Sequence, residues 1–306
     1  MFKGINNGDV ISAVVLIKSI LKNKTRQDTD YLRLSVNDGK DDITAFMWDT
    51  ASCEFKEGDV VRLKGSFGTY DNKPKIDVIE IKATTEKLKL KSLSGDEMTD
   101  FVDRFKKLRK KIDDKDLMDL LSNIFDNDVL WSLYCTAPAA KSNHHAYLGG
   151  LLQHSVEVAE HCYALYKLDP IYINVSLLIT GALLHDIGKI KEYEYEKQFD
   201  RTTSGKLIGH TSLSLLIISR ILPDGFPPKK STELIHLILS HHGKRDWGAP
   251  VEPMTKEAVI LHHCDMVASY NGRFNEQKAS AKGHEFSAYD KTYNRHWYFK
   301  TTDDKA

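Results

Sequence analysis

Seven residues offer the nitrogen and oxygen donors that divalent transition metals take: His154, the pair His185-Asp186, His210, the pair His241-His242, and Asp265. They fall within about 110 residues of the 306-residue chain. Neutral imidazole and carboxylate suit such metals, and adjacent sites that share a carboxylate suit hydrolysis of phosphate esters. Taken singly, each histidine reads as a capping or surface residue. The set is harder to dismiss: both adjacent pairs close an apolar run and are followed within two residues by glycine, Gly188 and Gly243.

Helices must position these residues. Apolar periodicity predicts a helix from Asp96 onward, with Met98, Phe101, Val102, Phe105 and Leu108 at helical spacing, and further helices at about 115–126, 128–136, 146–167, 171–187, 209–222, 230–242 and 255–270. Pro138, Pro170, Pro223 and Pro227-Pro228 punctuate them. Ser94 or Asp96 is the expected cap of the first. His154 lies inside the fourth, where Gly149-Gly150 would allow close helix approach. Gly188 would stop the helix that ends in His185-Asp186. His210 opens the next helix, His241-His242 closes another, and Asp265 lies within the last. Residues 192–208 read as an excursion or short hairpin, and the polar stretch after Arg273 has no clear element.

The pattern His154, His185-Asp186, Asp265 resembles the HD superfamily of metal-dependent phosphohydrolases, and His210 with His241-His242 resembles the extra ligands of its dinuclear members. The segment from His144 to His154, His-His-Ala-Tyr-Leu-Gly-Gly-Leu-Leu-Gln-His, and Leu184-His185-Asp186-Ile187-Gly188-Lys189 carry most of the likeness. With a barrel ahead of it, roughly residues 5–270 resemble the YhaM-type 3′-to-5′ exoribonucleases of Gram-positive bacteria. The resemblance implies one metal held by His154, His185, Asp186 and Asp265, and a second by Asp186, His210, His241 and His242, with Asp186 bridging. Such a pair of ions activates water for in-line attack on phosphorus. Lys189 would bind the scissile phosphate or assist the leaving oxygen, or else is a solvated lysine past a helix end. His145, more than His144, is a candidate contact to the phosphate. His161 and His262 suit structural or supporting roles, and His236, His263, His284 and His296 belong to no constellation. Manganese is the first expectation for two divalent ions; iron, cobalt and magnesium also fit the donors.

The first part of the chain alternates with a period of two. Val10–Leu21, Tyr31–Val36, Ile43–Trp48, Val60–Tyr70 and Ile76–Ile81 read as strands, with turns at Asp38-Gly39, Glu57-Gly58 and Asp71-Asn72. Five short strands suit an OB-type barrel, a fold that often binds single-stranded nucleic acid. Opposite the apolar face of Leu32, Leu34, Ala45 and Met47 lie Tyr31, Arg33, Phe46 and Trp48, a candidate stacking and phosphate-binding surface. A one-residue slip would instead bury the aromatics. Tyr70, Lys73 and Lys75 could reach the same strand.

The expected architecture is therefore α+β and multidomain: an N-terminal five-stranded OB-type β-barrel (1–85), a linker and helical connector (86–145), an all-α HD-domain helical bundle (146–275) and a C-terminal tail (276–306). Composition sets limits. Lys plus Arg and Asp plus Glu number 43 each, so net charge is zero, which argues against a strongly basic nucleic-acid binder and leaves open a local basic groove. The basic run Arg104–Lys111 reads as a solvated helix face. No apolar run reaches membrane-spanning length, no secretion signal is visible, and Cys53, Cys135, Cys162 and Cys264 are scattered, which points to a cytoplasmic, reduced protein without a membrane partner.

The expected activity is metal-dependent 3′-to-5′ exonucleolytic RNA degradation, acting on single-stranded RNA and by extension single-stranded DNA, with nucleoside 5′-monophosphates as products. The rivals are an HD-type nucleotide or cyclic-nucleotide phosphohydrolase, against which the barrel argues, and a non-catalytic RNA-binding protein, against which the intact ligand set argues. The resemblance also brings the expectation of a homo-oligomer.

Overall fold

The computed structural model describes residues 5–70, 73–141, 145–281 and 283–300; the expected turn at Asp71-Asn72, and His144, lie outside the described residues. The chain forms two compact units, one running through Lys91 and taking in Tyr195–Gln198, the other comprising Ser92–Glu194 and everything from Phe199 onward.

In the first unit, β1 (Val10–Lys24), β2 (Asp30–Asn37), β3 (Asp42–Met47), β4 (Val60–Tyr70) and β5 (Lys73–Ala83) close into a barrel in the order β1-β2-β3-β5-β4. Every pairing is antiparallel except β3 with β5. One long strand serves two neighbours. Val10–Leu16 pairs with β4 and Leu16–Lys24 with β2, and a register shift between Ile17 and Ser19 marks the bend. Alternation sends Ala13, Val15, Ile17, Leu34, Val36, Ile43, Ala45, Val61, Leu63, Phe67 and Ile76 inward as the core. Gly65, at the register shift of β4, is needed there: a Cβ would lie 2.4 Å from Ile76 Cγ2 and 2.6 Å from the Asp77 carbonyl oxygen.

The second unit is helical. It contains α1 (Gly95–Arg109), α2 (Lys115–Phe125), α3 (Asp128–Thr136), α4 (Gly150–Leu168), α5 (Val175–Leu184), α6 (Lys189–Glu192), α7 (Thr203–Ile208), α8 (His210–Ile221), α9 (Pro228–Ser240) and α10 (Lys256–Ser280), with a small hairpin of β6 (Tyr193–Glu194) and β7 (Asp200–Arg201) and a 3₁₀ turn at Arg245–Trp247. Ser94, rather than Asp96, caps α1, in a reciprocal capping box with Glu97. Helix α5 is the centre: every residue from Ser176 to Gly188 is buried. It packs on α4, α9, α10 and α2, while α1 and α3 pack on α4. Gly181 brings α9 close, since a Cβ there would meet Leu237 Cδ2 at 2.5 Å. Among the described residues no helix is long and apolar enough to cross a membrane.

The structure corrects several local expectations. Helix α4 starts at Gly150, not 146, because His145 and Gly149 both take left-handed backbone (φ 58° and 91°) and form a turn. Gly150 serves that turn rather than helix approach, as a Cβ would fall 2.0 Å from the His145 carbonyl oxygen. Helix α5 starts at Val175, capped by Asn174, not at 171. Gly188 does not end it in a left-handed cap. Gly188 is right-handed (φ −59°) and lets α8 approach, since a Cβ would lie 2.0 Å from the His210 carbonyl oxygen. The described residues 283–300, beyond α10, are joined by local pairings: Asp290 forms a short bridge with Arg295 and Phe286 with Tyr298, and Phe299 packs on Phe274.

Candidate metal centre and nucleic-acid surface

Two helix C-termini present the central histidines in the same way. His185 follows the last residue of α5, and its Nδ1 donates to the Ala182 carbonyl at 2.8 Å. His241 follows the last residue of α9, and its Nδ1 donates to the Ile238 carbonyl at 2.6 Å. A carbonyl can only accept, so each Nδ1 carries the proton and each Nε2 is left with a lone pair. These carbonyls are among those a helix end leaves unpaired, so one bond caps the helix and fixes the tautomer together. The negative ends of two helix dipoles also favour positive charge here. The two rings stand 5.1 Å apart, centre to centre.

The other donors complete two groups, His154 with His185 and Asp265, and His210 with His241 and His242; in each, the donor atoms lie within 4.8 Å of one another. Asp186 lies between them. Its Oδ2 is 3.3 Å from His185 Nε2 and 3.5 Å from His154 Nε2, and its Oδ1 is 3.4 Å from His210 Nε2 and 3.8 Å from His241 Nε2. Each oxygen of one carboxylate thus faces a different group.

These contacts make poor sense as hydrogen bonds among themselves. His154 and His185 turn Nε2 to Nε2 at 3.3 Å, and His210 and His242 do the same at 3.2 Å. Asp186 Oδ1 and His241 Nε2 are buried with no hydrogen-bond partner. Orphaned acceptors in such number are costly unless a cation satisfies them. The donor chemistry therefore fits a metal centre. Protonation states agree. Burial, with neighbouring His242 and His185, holds His241 well below its usual pKa, and burial with His210 beside it lowers His242. Burial would raise Asp186, but Lys189 and His185 outweigh it and keep the carboxylate well below its usual range. Asp265 stays ionised too, since His154 and His185 overcome its burial.

Lys189 is not a solvated lysine past a helix end. Its side chain is 13% exposed and its Nζ lies 2.5 Å from Asp186 Oδ2. His145 is buried, with Nδ1 2.8 Å from the Tyr147 hydroxyl, Nε2 3.3 Å from Glu157 Oε2, and its ring centre 5.7 Å from that of His154. Holding a non-glycine residue in the left-handed region costs about 1–3 kcal/mol and is often found at functional sites. His262 donates to the His241 carbonyl at 2.7 Å and walls the turn at Gly243, whose φ is +81°. His236 accepts from the Met254 amide, and His161 is not part of either donor group.

Three supporting residues escape a sequence reading. Glu192 places Oε2 3.2 Å from His210 Nδ1, the position of a carboxylate that orients a candidate metal-ligating histidine from behind. Ser214 takes the Gly188 amide and donates to the His185 carbonyl, tying α8 to the turn that carries Asp186. Glu157, with Gln153, holds His145 and Tyr147. Only Glu157 leaves a trace in the sequence, three residues after His154 on the same helix.

The barrel face is as the alternation predicts. Leu32, Leu34 and Ala45 are buried inside, while Tyr31, Arg33, Phe46 and Trp48 stand outside around a cavity of about 340 Å³ that Tyr70, Lys73 and Lys75 also line. Phe46 and Trp48 stack at 5.3 Å and 9°, Tyr31 lies 5.0 Å from Trp48, and the indole donates to Asp77 Oδ1 at 2.9 Å. The Lys75 ammonium is 5.8 Å from the Phe46 ring centre. By contrast, the basic run of α1 is partly committed: Arg104 pairs with Glu160 and Asp100, and Arg109 with Asp126.

The HD domain family matches residues 151–269. The 3′-5′ exoribonuclease YhaM of Geobacillus sp. (strain WCH70) is 29% identical over 305 residues, covering 94% of this chain and 91% of its own length. That of Bacillus pumilus (strain SAFR-032) is 30% identical over 286 residues, 87% of each chain. Among solved structures, a replication protein A heterotrimer bound to single-stranded DNA matches at 21% identity and TM-score 0.23, over 28% of this chain and 65% of that one. Identity extending through barrel and helical unit alike, over nearly the full length of each relative, establishes that this chain belongs to the YhaM family of 3′-5′ exoribonucleases.

Proposed function

We infer that the chain is a metal-dependent 3′-to-5′ exoribonuclease whose helical unit holds two divalent cations, one between His154, His185, Asp186 and Asp265, the other between Asp186, His210, His241 and His242. The observation that carries this reading is the divided carboxylate of Asp186, one oxygen toward each donor group. Bound ions would lower the pKa of water and neutralise phosphoryl charge. Manganese is the first candidate, because mixed imidazole and carboxylate donors suit it; iron, cobalt and magnesium follow.

The protein's own groups do the rest. Release of nucleoside 5′-monophosphates requires water oxygen to join phosphorus as the P–O3′ bond breaks, and the departing 3′-oxygen must gain a proton. Lys189, held at Asp186, would bind the scissile phosphate or assist the leaving oxygen, and His145, beside His154, would contact that phosphate. The barrel face of Tyr31, Arg33, Phe46 and Trp48 would guide single-stranded RNA, and single-stranded DNA by the same stacking. We assign residues 1–85 to this nucleic-acid-binding domain, 86–145 to a linker and connector, 146–275 to the phosphohydrolase domain and 276–306 to a tail. Four free cysteines support a reducing, cytoplasmic setting, and kinship with the family supports a homo-oligomer.

The test is digestion of a 5′-labelled single-stranded RNA with manganese, with chelator, and after metal analysis of the purified protein. A descending ladder with manganese, none with chelator, and two ions per chain are expected. Intact RNA beside hydrolysis of a nucleoside triphosphate or cyclic dinucleotide would overturn the reading.

A further inference from the structure

Asp265 belongs to a second space besides the metal centre. A cavity of about 430 Å³ opens beside it on α10, lined also by Ser269 and Tyr270 of the same helix, by Trp247 from the 3₁₀ turn, and by Tyr293 and Asn294 from beyond α10. That volume falls in the range of small-ligand sites. None of the residues given a hydrolytic role lines it apart from Asp265. Its character differs from the centre's: three aromatic rings and small polar groups, with Asp265 the one charge among these six residues.

The wall beyond α10 is built to keep its shape. Asp290 is buried and accepts from Arg273 at 2.6 and 3.1 Å, from the Trp297 indole at 3.0 Å and from the Thr292 amide at 3.0 Å. Arg273 and these bonds hold its carboxyl down to about 2. The turn so anchored presents Tyr293, edge-on to Tyr270 at 4.5 Å, and Asn294 in left-handed backbone at φ 51°. Trp247 remains 51% exposed, although it is a large apolar ring. This aromatic slot of nucleoside size shares Asp265 with the donor group of His154 and His185, so the two spaces adjoin.

We propose that this cavity receives the 3′-terminal nucleoside of the strand, its base stacked on Trp247 and Tyr293 and its sugar hydroxyls beside Ser269 and Asn294. The proposal rests on the exoribonuclease reading above and adds the site that holds the nucleotide about to leave. Base–aromatic stacking tolerates every base, which suits an enzyme that must accept each residue in turn.

The experiment measures the first cleavage, under single-turnover conditions, of two RNAs that differ only in whether the 3′-terminal residue carries its base or is abasic. Wild type is expected to cut the base-bearing end about 10- to 100-fold faster. Trp247→Ala should lower that ratio several-fold by slowing only the base-bearing end, with Tyr293 keeping the remainder. Asn294→Gly keeps the left-handed backbone, since glycine adopts it freely, and should reduce the preference for a terminal ribose over a 2′-deoxyribose. A wild-type ratio near one overturns the proposal. So does a Trp247→Ala ratio equal to that of wild type, which is what damage to the fold or loss of metal would give by slowing both ends alike. Failure of wild type to cut either RNA would instead sink the exoribonuclease reading on which the proposal rests.

Discussion

The barrel face and the candidate metal centre are both built around aromatic rings, and those rings are held in opposite ways. At the barrel, Tyr31, Phe46 and Trp48 lean on one another at the surface, and Trp48 is 45% exposed. At the centre, His185 and His241 are buried and each is fixed by its own helix end. A stacking surface works as a sum of tolerant contacts, and losing one ring loses a share. A ligand cage works as a unit, because removing one donor leaves the others buried and unsatisfied. The two regions should therefore respond to mutation on different scales and in different kinetic parameters.

The largest effect is expected for Asp186→Asn. Turnover of single-stranded RNA should fall by at least about 10³-fold, while RNA binding, measured by fluorescence anisotropy, stays within a few-fold of wild type. Equal loss of both would mean the centre also holds the strand and would erase the contrast. Next comes Glu192→Gln, which touches no substrate. It should weaken metal retention by about 10- to 100-fold, read by titration with manganese, and excess manganese should restore turnover. For the barrel, Trp48→Ala or Phe46→Ala should each raise KM by roughly 5- to 100-fold with little change in kcat. A fall in kcat at saturating RNA would show that the barrel takes part in the chemical step.

The smallest effect concerns pH. Burial lowers the pKa of His154, His241 and His242 below the usual 6.5, with neighbouring imidazoles adding to it. The unfolded chain therefore takes up protons first. The stability these neutral rings contribute is complete above pH 6.5 and is lost as pH falls below that value, until the folded pKa values are reached. His185 shifts the other way, since Asp186 outweighs its burial, and offsets part of the loss. Chelator-treated protein should melt at lower temperature at pH 5.5 than at pH 7, with Trp48→Ala following the same slope and His241→Asn a shallower one. An equally steep slope in His241→Asn would remove this ring from the account.

The sequence made the donors legible because chemistry and spacing coincide in them: two ligand pairs closing apolar helices, with Gly243 ending the second in left-handed backbone. The barrel face was legible because a period of two leaves one choice, and Leu32 and Leu34 decide which side is inward. What stayed hidden depends on chain segments meeting. Glu192 supports His210 only because the small hairpin folds back, and Ser214 meets Gly188 only because α8 packs on the turn after α5. Gly150 and Gly188 look like helix spacers or stops in one dimension, and in three they admit a carbonyl oxygen. The stretch beyond α10 has no periodicity because its order comes from one buried ion pair, Arg273 with Asp290, and from rings packed around it.

The complete burial of Ser176 through Gly188 has a consequence for motion. A helix with no wet face cannot open locally without exposing its neighbours, so its amides should exchange with deuterium only on global unfolding. Asp186 rides on the end of that segment, so its divided carboxylate, one oxygen toward each donor group, is tied to the part of the molecule expected to exchange slowest. Strand ends can pass through such a centre one after another, and the point against which each is cut stays still.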